Sequence, residues 1–359
     1  RLIMDKILLT AVLLIALLGV MFVYSATLER GDDVAGINRL VIKQCLWVFT
    51  GVILLIVISN MDYIRILDFA YLAYAVNLVL LFFLLLLGGE RYGARRWIDL
   101  GPFSLQPSEF VKITVIFAVA AFLGGRKEKR GTFDNFIYSV VLIMPAFILI
   151  FLQPDLGTAL VLFPVLFSIL FLCGENGKYI LTSIVIGFLS LPVFWNLLKD
   201  YQKSRLLVFV NPNIDPLGAG YTIIQSKIAI GSGGIFGKGW LDGTQSYLKF
   251  LPERHTDFIV SVIGEEWGFA GILILLGLFV LVISRGIRII AGADDVYGKA
   301  IATGIVTLIA FQVLVNVSMT LGLMPVVGLP LPLISYGGST TVATLIGVGF
   351  LLSVSRRKR

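Results

Sequence analysis

Charged and metal-binding side chains are scarce in this sequence. Charged residues make up 14% of the 359 positions and hydrophobic residues 58%, whereas a soluble domain averages about 25% charged and about 45–50% apolar. The single histidine excludes a multi-histidine metal centre, and two cysteines exclude a disulfide framework or a cysteine-rich zinc site. Cys45 and Cys173 lie within or beside apolar runs, which favours a packing role. Water is therefore not the main solvent of this chain.

Basic residues exceed acidic residues, and the net charge is +7. In a soluble protein this excess would suggest binding to nucleic acid. Here the Lys and Arg residues lie in short loops between apolar runs, as the topology determinants of membrane proteins do. We therefore expect no nucleic acid among the partners.

Apolar runs of membrane-spanning length recur along the chain. About 20 helical residues cross a hydrocarbon core of ~30 Å. The pattern predicts an all-α membrane protein, a single polytopic domain over residues 1–359 with about ten transmembrane helices, the first a retained anchor. Between the fifth and sixth, Gln153-Pro154-Asp155 predicts a tight turn. The predicted spans are Ile7–Ser25, Gln44–Ser59, Leu67–Leu87, Pro107–Leu123, Phe136–Leu152, Leu156–Cys173, Tyr179–Leu198, Phe258–Ser284, Ala300–Gly322 and Thr340–Ser355.

The distribution of Lys and Arg predicts which loops face the cytoplasm. Ten spans place the basic loop at residues 126–130 and the basic C-terminus on one side, so that both termini are cytoplasmic. Arg91, Arg95 and Arg96 then fall on the outside, against the rule. Basic residues kept on the unfavoured side indicate a role such as holding an anionic ligand.

The longest segment without a predicted span, about Lys199 to Thr256, is then one large extracellular loop between the seventh and eighth helices. Its length, glycines and aromatic residues indicate an ordered, functional loop rather than a linker. The run Gly231–Gly239 favours turns over a phosphate-binding loop. We expect a multi-pass membrane protein whose active face points outward, away from the cytoplasm.

The junction between this loop and the eighth span carries several polar residues. Thr256 is suited to cap the helix, which would place Asp257 in its first turn at the outer membrane boundary. From this local pattern, Asp257 either complements the helix dipole or has a chemical role. Glu265 follows about 12 Å deeper on nearly the same face, with Glu266 to one side. Carboxylates within a span face the protein interior or a wet cavity.

A second polar group opens the fourth span, after Gln106-Pro107-Ser108. Glu109 and Lys112 lie three residues apart, hence on one helix face, where they are able to pair inside the membrane. Two interpretations stay open: a structural ion pair, and a cation held beside a substrate path.

Prolines and glycines interrupt the apolar sequence between residues 316 and 339. Pro325, Pro330 and Pro332 forbid one regular helix here. Irregular backbone at membrane depth is tolerated only where it is buried in protein or lines a cavity. The sequence therefore predicts such a segment before the last span.

This stretch resembles the signature of the SEDS family (shape, elongation, division and sporulation proteins), with Asn316, Pro325, Gly328 and Ser335-Tyr336-Gly337-Gly338-Ser339 in register. Thr340 is a minor departure. The resemblance runs from about Leu2 to the C-terminus and is closest to the rod-shape branch. Three other motifs match: Gln106-Pro107-Ser108-Glu109, Gln153-Pro154-Asp155-Leu156-Gly157-Thr158, and Leu251 to Phe258 followed by Glu265-Glu266-Trp267-Gly268.

Members of this family polymerise lipid II, the lipid-linked disaccharide precursor of peptidoglycan, on the outer face of the cytoplasmic membrane. The resemblance implies an inverting glycosyltransferase of cell elongation, which converts an α-linked pyrophosphate donor into a β-1,4 linkage. The essential carboxylate of the family maps onto Asp257, the expected general base. Two other roles for Asp257 stay open, namely orienting the hydroxyl and holding a metal.

The resemblance also implies a set of substrate-binding residues. The charge that develops on the leaving pyrophosphate needs nearby cations. Lys112 and Arg205 are the first candidates. The other candidates are Arg254, Lys238, Arg95 and Arg96. No cofactor is certain, and a divalent cation (Mg²⁺ or Mn²⁺) is left open. The residues expected to contact the substrate are Glu109, Lys112, Arg205, Glu253, His255, Thr256 and Ser335.

The implied partners are lipid II, a class B penicillin-binding transpeptidase with one transmembrane helix, and other membrane proteins of the elongation machinery. The eighth and ninth spans are the surfaces considered for the transpeptidase. Two other functions stay open. One is a flippase that moves lipid II outward, which ionisable residues at membrane depth would support; the other is a non-catalytic scaffold that recruits a cell-wall synthase.

The topology is testable with a cysteine engineered near Gly218, in a chain whose Cys45 and Cys173 are changed to serine. Because this loop is predicted to face outward, an impermeant thiol reagent should label the new cysteine in intact cells. Lysed cells provide the reference for full labelling. Labelling only after lysis would overturn the predicted topology.

Overall fold

The computed structural model describes residues 5–28, 39–87, 96–101, 103–126, 131–198, 200–215, 218–244 and 250–357. The helices in these ranges are α1 (Lys6–Thr27), α2 (Arg39–Ser59), α3 (Tyr63–Leu67), α4 (Ala70–Leu87), α5 (Pro107–Gly125), α6 (Phe133–Leu152), α7 (Leu156–Leu172), α8 (Gly177–Leu197), α9 (Asp200–Val210), α10 (Ala219–Ser232), α11 (Ile259–Glu266), α12 (Gly268–Ala291), α13 (Val296–Thr320) and α14 (Gly338–Arg356). Strands β1 (Ile98–Leu100) and β2 (Phe103–Leu105) form an antiparallel hairpin, and a 3₁₀ turn covers Pro212–Ile214.

Eight helices in the described ranges are long and apolar enough to cross a membrane, namely α1, α2, α5, α6, α8, α12, α13 and α14. Two further apolar helices, α4 and α7, are shorter, and each predicted span overlaps one of these elements. The chain is therefore a multi-pass α-helical membrane protein, while the number of spans stays a prediction. The predicted turn at Gln153-Pro154-Asp155 is confirmed, because α6 ends at Leu152 and α7 begins at Leu156.

The prediction of Phe258–Ser284 as one continuous span is wrong. Helix α11 ends at Glu266, and α12 begins at Gly268. Gly268 has a φ of +67°, a left-handed conformation that interrupts a right-handed helix. Helix α12 alone has 24 residues, about 36 Å, which is enough to cross a bilayer. The two-turn helix α11 therefore precedes the span instead of forming its outer part.

Contacts between helix ends define two faces of the bundle. Asp5, before α1, pairs with Arg285 near the end of α12 at 2.7 Å. Arg357, after α14, pairs with Asp62 between α2 and α3, also at 2.7 Å. We call this the proximal face, because both described ends of the chain lie there. The opposite, distal face contains the C-terminal ends of α1 and α13 and the N-terminal ends of α5, α7 and α14.

The chain between α13 and α14, residues 321–337, returns into the bundle from the distal face; we call it the re-entrant segment. It has no regular helix or strand. Its Leu333 carbonyl packs directly on Gly19 of α1. Its Val327 carbonyl lies 2.7 Å from where a Cβ on Gly157 of α7 would be. The prediction of irregular backbone buried in protein is thus confirmed.

Helix α8 makes few protein contacts, and most of its surface is exposed, as in a helix that faces lipid. Its Phe188 and Leu189 side chains are 70% and 74% exposed. Beyond it, the predicted loop folds into α9 and α10 and is not a linker. The buried Ser226 of α10 shares a hydrogen bond with Ser261 of α11 (2.7 Å) and donates to the carbonyl of Thr320 at the end of α13 (2.6 Å). Polar contacts therefore dock the loop on the distal face.

Gly19→Ala should lower the thermal stability of the purified protein in detergent. An added Cβ would collide with the backbone at Leu333, which has no rotamer to move away. We expect a loss of about 1–3 kcal/mol, the usual cost of overpacking. Gly187→Ala is the matched control, because nothing lies near Gly187 of α8. Equal stability of the two variants would contradict the close approach of the re-entrant segment.

Candidate active site

Asp257 lies in a turn on the distal face, between the large loop and α11. Residues 251–258 form successive turns, and α11 begins only at Ile259. The Thr256 hydroxyl lies within hydrogen-bonding distance of the Glu253 carbonyl (3.2 Å) and of Glu253 Oε2 (3.1 Å). The prediction that Thr256 caps the helix and that Asp257 occupies its first turn is therefore wrong. Thr256 instead closes the turn back on Glu253.

The backbone of Asp257 is held by α13. Asn316 lies one turn before the end of that helix and donates from Nδ2 to the carbonyl of Asp257 (3.1 Å) and to that of Leu329 (2.7 Å). Its side chain is fully buried. One amide therefore fixes both the Asp257 turn and the re-entrant segment to the same helix. The sequence motif contained Asn316 without indicating this role.

The re-entrant segment holds the two residues before Asp257. Ser335 Oγ donates to the Thr256 carbonyl (2.6 Å) and accepts from the Leu331 amide (2.9 Å). The Tyr336 amide donates to the His255 carbonyl (2.8 Å), and the two rings lie 5.8 Å apart. Burial lowers the pKa of His255, so its imidazole is neutral at neutral pH. Because the Ser335 hydroxyl is engaged within the protein, the geometry supports a positioning role for Ser335.

Gly328 of the re-entrant segment leaves space beside the Asp257 carboxylate. A Cβ at Gly328 would lie 3.5 Å from Asp257 Oδ2. The φ of Gly328 is +72°, a conformation that glycine adopts without strain. Asp257 itself is partly exposed. A larger residue at position 328 would cover part of the carboxylate that is now open.

The pKa of Asp257 is raised to about 6. Burial is the largest cause, and the carboxylates of Glu253 and Asp155 act in the same direction. The guanidinium groups of Arg205 and Arg96 oppose the shift. Asp257 is therefore a stronger base than an ordinary aspartate and is still mostly ionised at neutral pH. The sequence had left the direction of this shift open.

Arg96 joins the site through the turn between α6 and α7. Its Nε donates to the Gln153 carbonyl (3.1 Å), an Nη donates to the Pro154 carbonyl, and Nη1 lies 3.9 Å from Asp155 Oδ1. Gln106 Nε2 donates to the other oxygen of Asp155 (3.3 Å). Two of the sequence motifs therefore meet beside Asp257. Because these two motifs lie far apart in the sequence, the sequence alone did not predict this contact.

Two predicted cations have different positions. Arg205 is exposed on α9, and its Nη1 donates to the Val326 carbonyl of the re-entrant segment (3.2 Å). Arg254 is buried, and its Nε donates to the Ala26 carbonyl at the distal end of α1 (2.6 Å). Arg205 is thus placed to meet a ligand, whereas Arg254 ties the Asp257 turn to α1. Arg91 and Arg95 lie outside the described residues, as do residues 127–130 of the predicted basic loop.

The predicted pairing of Glu109 with Lys112 is confirmed. Lys112 Nζ lies 2.8 Å from Glu109 Oε1, and each residue is 2% exposed. This burial favours the structural interpretation of the pair. Contact of either residue with a substrate stays a prediction.

The carboxylates of α11 are placed differently from expectation. Glu265 Oε1 accepts from Lys238 Nζ of the large loop (2.8 Å), and Glu266 accepts from Ser25 in the last turn of α1. Both carboxylates are buried. The prediction that Glu265 lies deeper inside a span than Asp257 is wrong, because α11 lies at the distal end of α1. Lys238, a lower-ranked candidate cation, is paired here with Glu265, and its contact with the pyrophosphate stays a prediction.

In the part of the chain that the structure describes, no cluster of side chains is suited to bind a metal ion. No three His, Cys, Asp or Glu residues are arranged there to hold a metal ion. The carboxylate of Asp257 is open on one side, as described above.

Comparisons with known proteins assign this arrangement to a family. The model for cell cycle proteins of the FtsW, RodA and SpoVE type matches residues 5–359. The chain belongs to this family, which confirms the SEDS resemblance of its motifs.

Similarity to individual proteins extends over the full chain. This chain is 40% identical to the peptidoglycan glycosyltransferase MrdB of Escherichia coli K12, and the alignment covers 99% of this chain and 95% of that protein. A chain solved in a study of a peptidoglycan synthase complex that coordinates polymerization and crosslinking is 36% identical, with a TM-score of 0.83 and coverage of 100% and 99%. The crystal structure of the Thermus thermophilus rod shape determining protein RodA is 32% identical, with a TM-score of 0.74 and coverage of 99% and 97%.

The buried Glu109–Lys112 pair provides a test of its two interpretations. Lys112→Met leaves the Glu109 charge buried without its partner, so we expect a stability loss of roughly 3–5 kcal/mol. The double variant Glu109→Gln/Lys112→Met removes both charges and should recover most of that loss. Thermal midpoints in detergent measure this.

Glycan synthesis by the same variants completes the comparison. A stable and active double variant supports the structural interpretation, whereas a stable but inactive one supports contact with the substrate. Wild-type stability and activity in Lys112→Met would contradict both interpretations.

Proposed function

We propose that this protein is a peptidoglycan glycosyltransferase that polymerises lipid II into glycan strands, with Asp257 as the general base. The observation that carries the proposal is the Asp257 carboxylate, whose pKa is raised to about 6 and which is open beside Gly328. Residues of the family signature hold its turn in place. The naming of the Escherichia coli relative as a peptidoglycan glycosyltransferase supports this chemistry.

The reaction forms one bond and breaks one. The 4-hydroxyl oxygen of the acceptor sugar attacks the anomeric carbon of the donor, and the bond from that carbon to the pyrophosphate oxygen breaks. The electron pair of that bond leaves with the pyrophosphate. The hydroxyl proton passes to a carboxylate oxygen of Asp257. One displacement inverts the anomeric carbon from α to β, so no second carboxylate is needed as a nucleophile.

Positive charge near Asp257 suits the leaving group. Negative charge develops on the pyrophosphate, and positioned cations stabilise it. Arg205 is exposed on α9, and we assign it to direct contact with the pyrophosphate. Arg96 is fixed by backbone carbonyls and supplies positive charge without moving. A divalent cation, Mg²⁺ or Mn²⁺, would supply further positive charge to the leaving group; Asp257 is the residue that would hold it, in place of its role as base.

The position of the site suits a substrate with a lipid anchor. A polyprenyl-linked sugar presents its pyrophosphate at the level of the lipid headgroups. Asp257 lies at that level, because Arg254 of its turn contacts the distal end of α1 and Asn316 lies one turn from the end of α13. We infer that the distal face is the outer face of the cytoplasmic membrane, in agreement with the predicted topology.

A partner synthase is supported by the structural neighbour, which was solved in a study of a peptidoglycan synthase complex. We propose that the partner is a class B penicillin-binding transpeptidase and that its single transmembrane helix packs on α12. Phe269, Leu273, Val280 and Ile287 form an apolar stripe along that helix and are 57%, 52%, 63% and 55% exposed. Other membrane proteins of the elongation machinery are further expected partners.

The flippase alternative has lost part of its support. It relied on ionisable residues at membrane depth, and Glu265 and Glu266 lie instead at the distal end of α1. The remaining ionisable residues, Glu109 and Lys112, form an ion pair with each other. A non-catalytic scaffold does not need a carboxylate with a raised pKa, so this feature does not support the scaffold alternative. Polymerisation is therefore the function that the geometry supports best.

Asp257→Asn tests the proposal directly. The amide keeps the shape of the side chain but is unable to accept the hydroxyl proton, so glycan synthesis from lipid II should fall by roughly 100-fold or more. The variant should fold and bind the transpeptidase, because the turn is held through its backbone. Asp242→Asn, an exposed aspartate of the same loop, is the matched control. Near-normal chain formation by purified Asp257→Asn would refute the assignment.

The pH dependence gives a second readout of the same variant. The rate should fall as the pH drops below about 6, where Asp257 becomes protonated. Stability should change in the opposite sense. Since the folded state binds this proton more tightly than the unfolded state does, stability is lost as the pH rises from the ordinary aspartate pKa to about 6. Asp257→Asn should remove that part of the stability profile.

A further inference from the structure

The two ends of α11 are fixed by different parts of the protein. At its N-terminal end, α13 and the re-entrant segment hold the turn of Asp257. At its C-terminal end, the fully buried Glu265 accepts from Lys238 Nζ (2.8 Å) and from Thr244 Oγ1 (3.0 Å). Lys238 and Thr244 both belong to the large loop. Two helical turns therefore connect an ion pair of the loop with the proposed general base.

Backbone contacts dock the loop on the same end of α11. The amides of Lys238 and Gly239 donate to the carbonyls of Glu265 and Glu266, each at 3.0 Å. Gly237 has a φ of +81°, and a Cβ there would collide with the Glu266 carbonyl. This close approach needs glycine. The loop is thus held on the end of α11 by main-chain hydrogen bonds and by the ion pair between Lys238 and Glu265.

We propose that Lys238 is a positioning residue for Asp257, acting through Glu265 and α11; the inference rests on the proposed function of Asp257. Helix α11 has eight residues and is separated from the span α12 by the break at Gly268. Its C-terminal end is therefore placed by these loop contacts together with the hydrogen bond from Ser25 of α1 to Glu266. A helix of this length is stiff, so displacement of its C-terminal end moves the residues at its N-terminal end.

The charge on Lys238 is the sensitive element of this arrangement. Glu265 is fully buried, and removing the cation that faces a buried carboxylate is strongly unfavourable. Without the Lys238 ammonium group, the Glu265 carboxylate shifts toward solvent, and α11 turns with it. A misplacement of about 1 Å at the reacting group costs on the order of 100-fold in rate, so a partial shift lowers turnover measurably. Substrate affinity should change less, because Arg205, which we assign to the pyrophosphate, lies on α9.

The test compares three lysine variants of the full chain, assayed with its transpeptidase partner and lipid II. Lys238→Met should lower kcat about tenfold with KM within about twofold of wild type, because an interaction realised in the transition state is lost. Lys238→Arg keeps the charge and should stay within about twofold of wild type. Lys178→Met is the control, since Lys178 is an exposed lysine at the start of α8, away from the large loop, and it should have wild-type kinetics.

Backbone hydrogen exchange supplies a readout that does not depend on activity. Lys238→Met should speed the exchange of amides in α11 and leave those of α13 unchanged. If the wild-type chain makes no glycan strands, the proposed function fails while the exchange result still tests the contact between Lys238 and α11.

Two outcomes would overturn the positioning role. One is wild-type kcat and exchange in Lys238→Met, and the other is an equal loss of kcat in Lys238→Arg, which would show that charge is irrelevant. Should Lys238→Met fail to fold, Thr244→Val removes one hydrogen bond to Glu265 and replaces it in the comparison. Its expected loss is about threefold in kcat, and unchanged turnover in a folded Thr244→Val would also count against the proposal.

Discussion

Backbone amides and carbonyls away from water must find partners within the protein, and the re-entrant segment is where this requirement is hardest to satisfy. Asn316 and Ser335 supply such partners by bonding carbonyls and amides of the segment. Gln44 of α2 adds contacts to the Ser335 carbonyl (3.5 Å) and the Gly337 amide (3.3 Å). Asn316 and Ser335 also bond the Asp257 turn. The same two side chains therefore provide hydrogen-bond partners for the irregular backbone and hold the turn that carries the Asp257 carboxylate.

The electrostatic state of the site follows from a balance between burial and charge. Burial and neighbouring carboxylates raise the pKa of Asp257, whereas Arg205 and Arg96 lower it. Burial alone would leave a carboxyl that is protonated and useless as a base. Cations alone would leave a weak base. The combination makes the carboxylate basic yet mostly ionised near neutral pH, and the same cations suit the charge of a leaving pyrophosphate.

Local patterns in the sequence predicted the features that local physics determines. Apolar length indicated the spans, Gln153-Pro154-Asp155 indicated the turn, and the three-residue spacing of Glu109 and Lys112 indicated their pairing. The break at Gly268 was missed because glycine is common in membrane helices and apolar residues continue on either side of Glu265 and Glu266. The approach of Asp155 to Asp257 is a long-range contact, about which periodicity contains no information. Thr256 was misassigned because its hydroxyl found a partner in its own turn.

The Asp257 turn is held through the main-chain carbonyls of residues 255–257, by donors on Asn316, Ser335 and Tyr336. The shape of the turn is therefore specified by its neighbours and not by the side chain at position 257. In evolutionary terms, the scaffold and the reactive group are separable. If Asp257 is the general base, a single codon change at this position would remove the chemistry and leave these main-chain contacts in place. Under that proposal, a catalytically silent descendant would be one mutational step from an active ancestor.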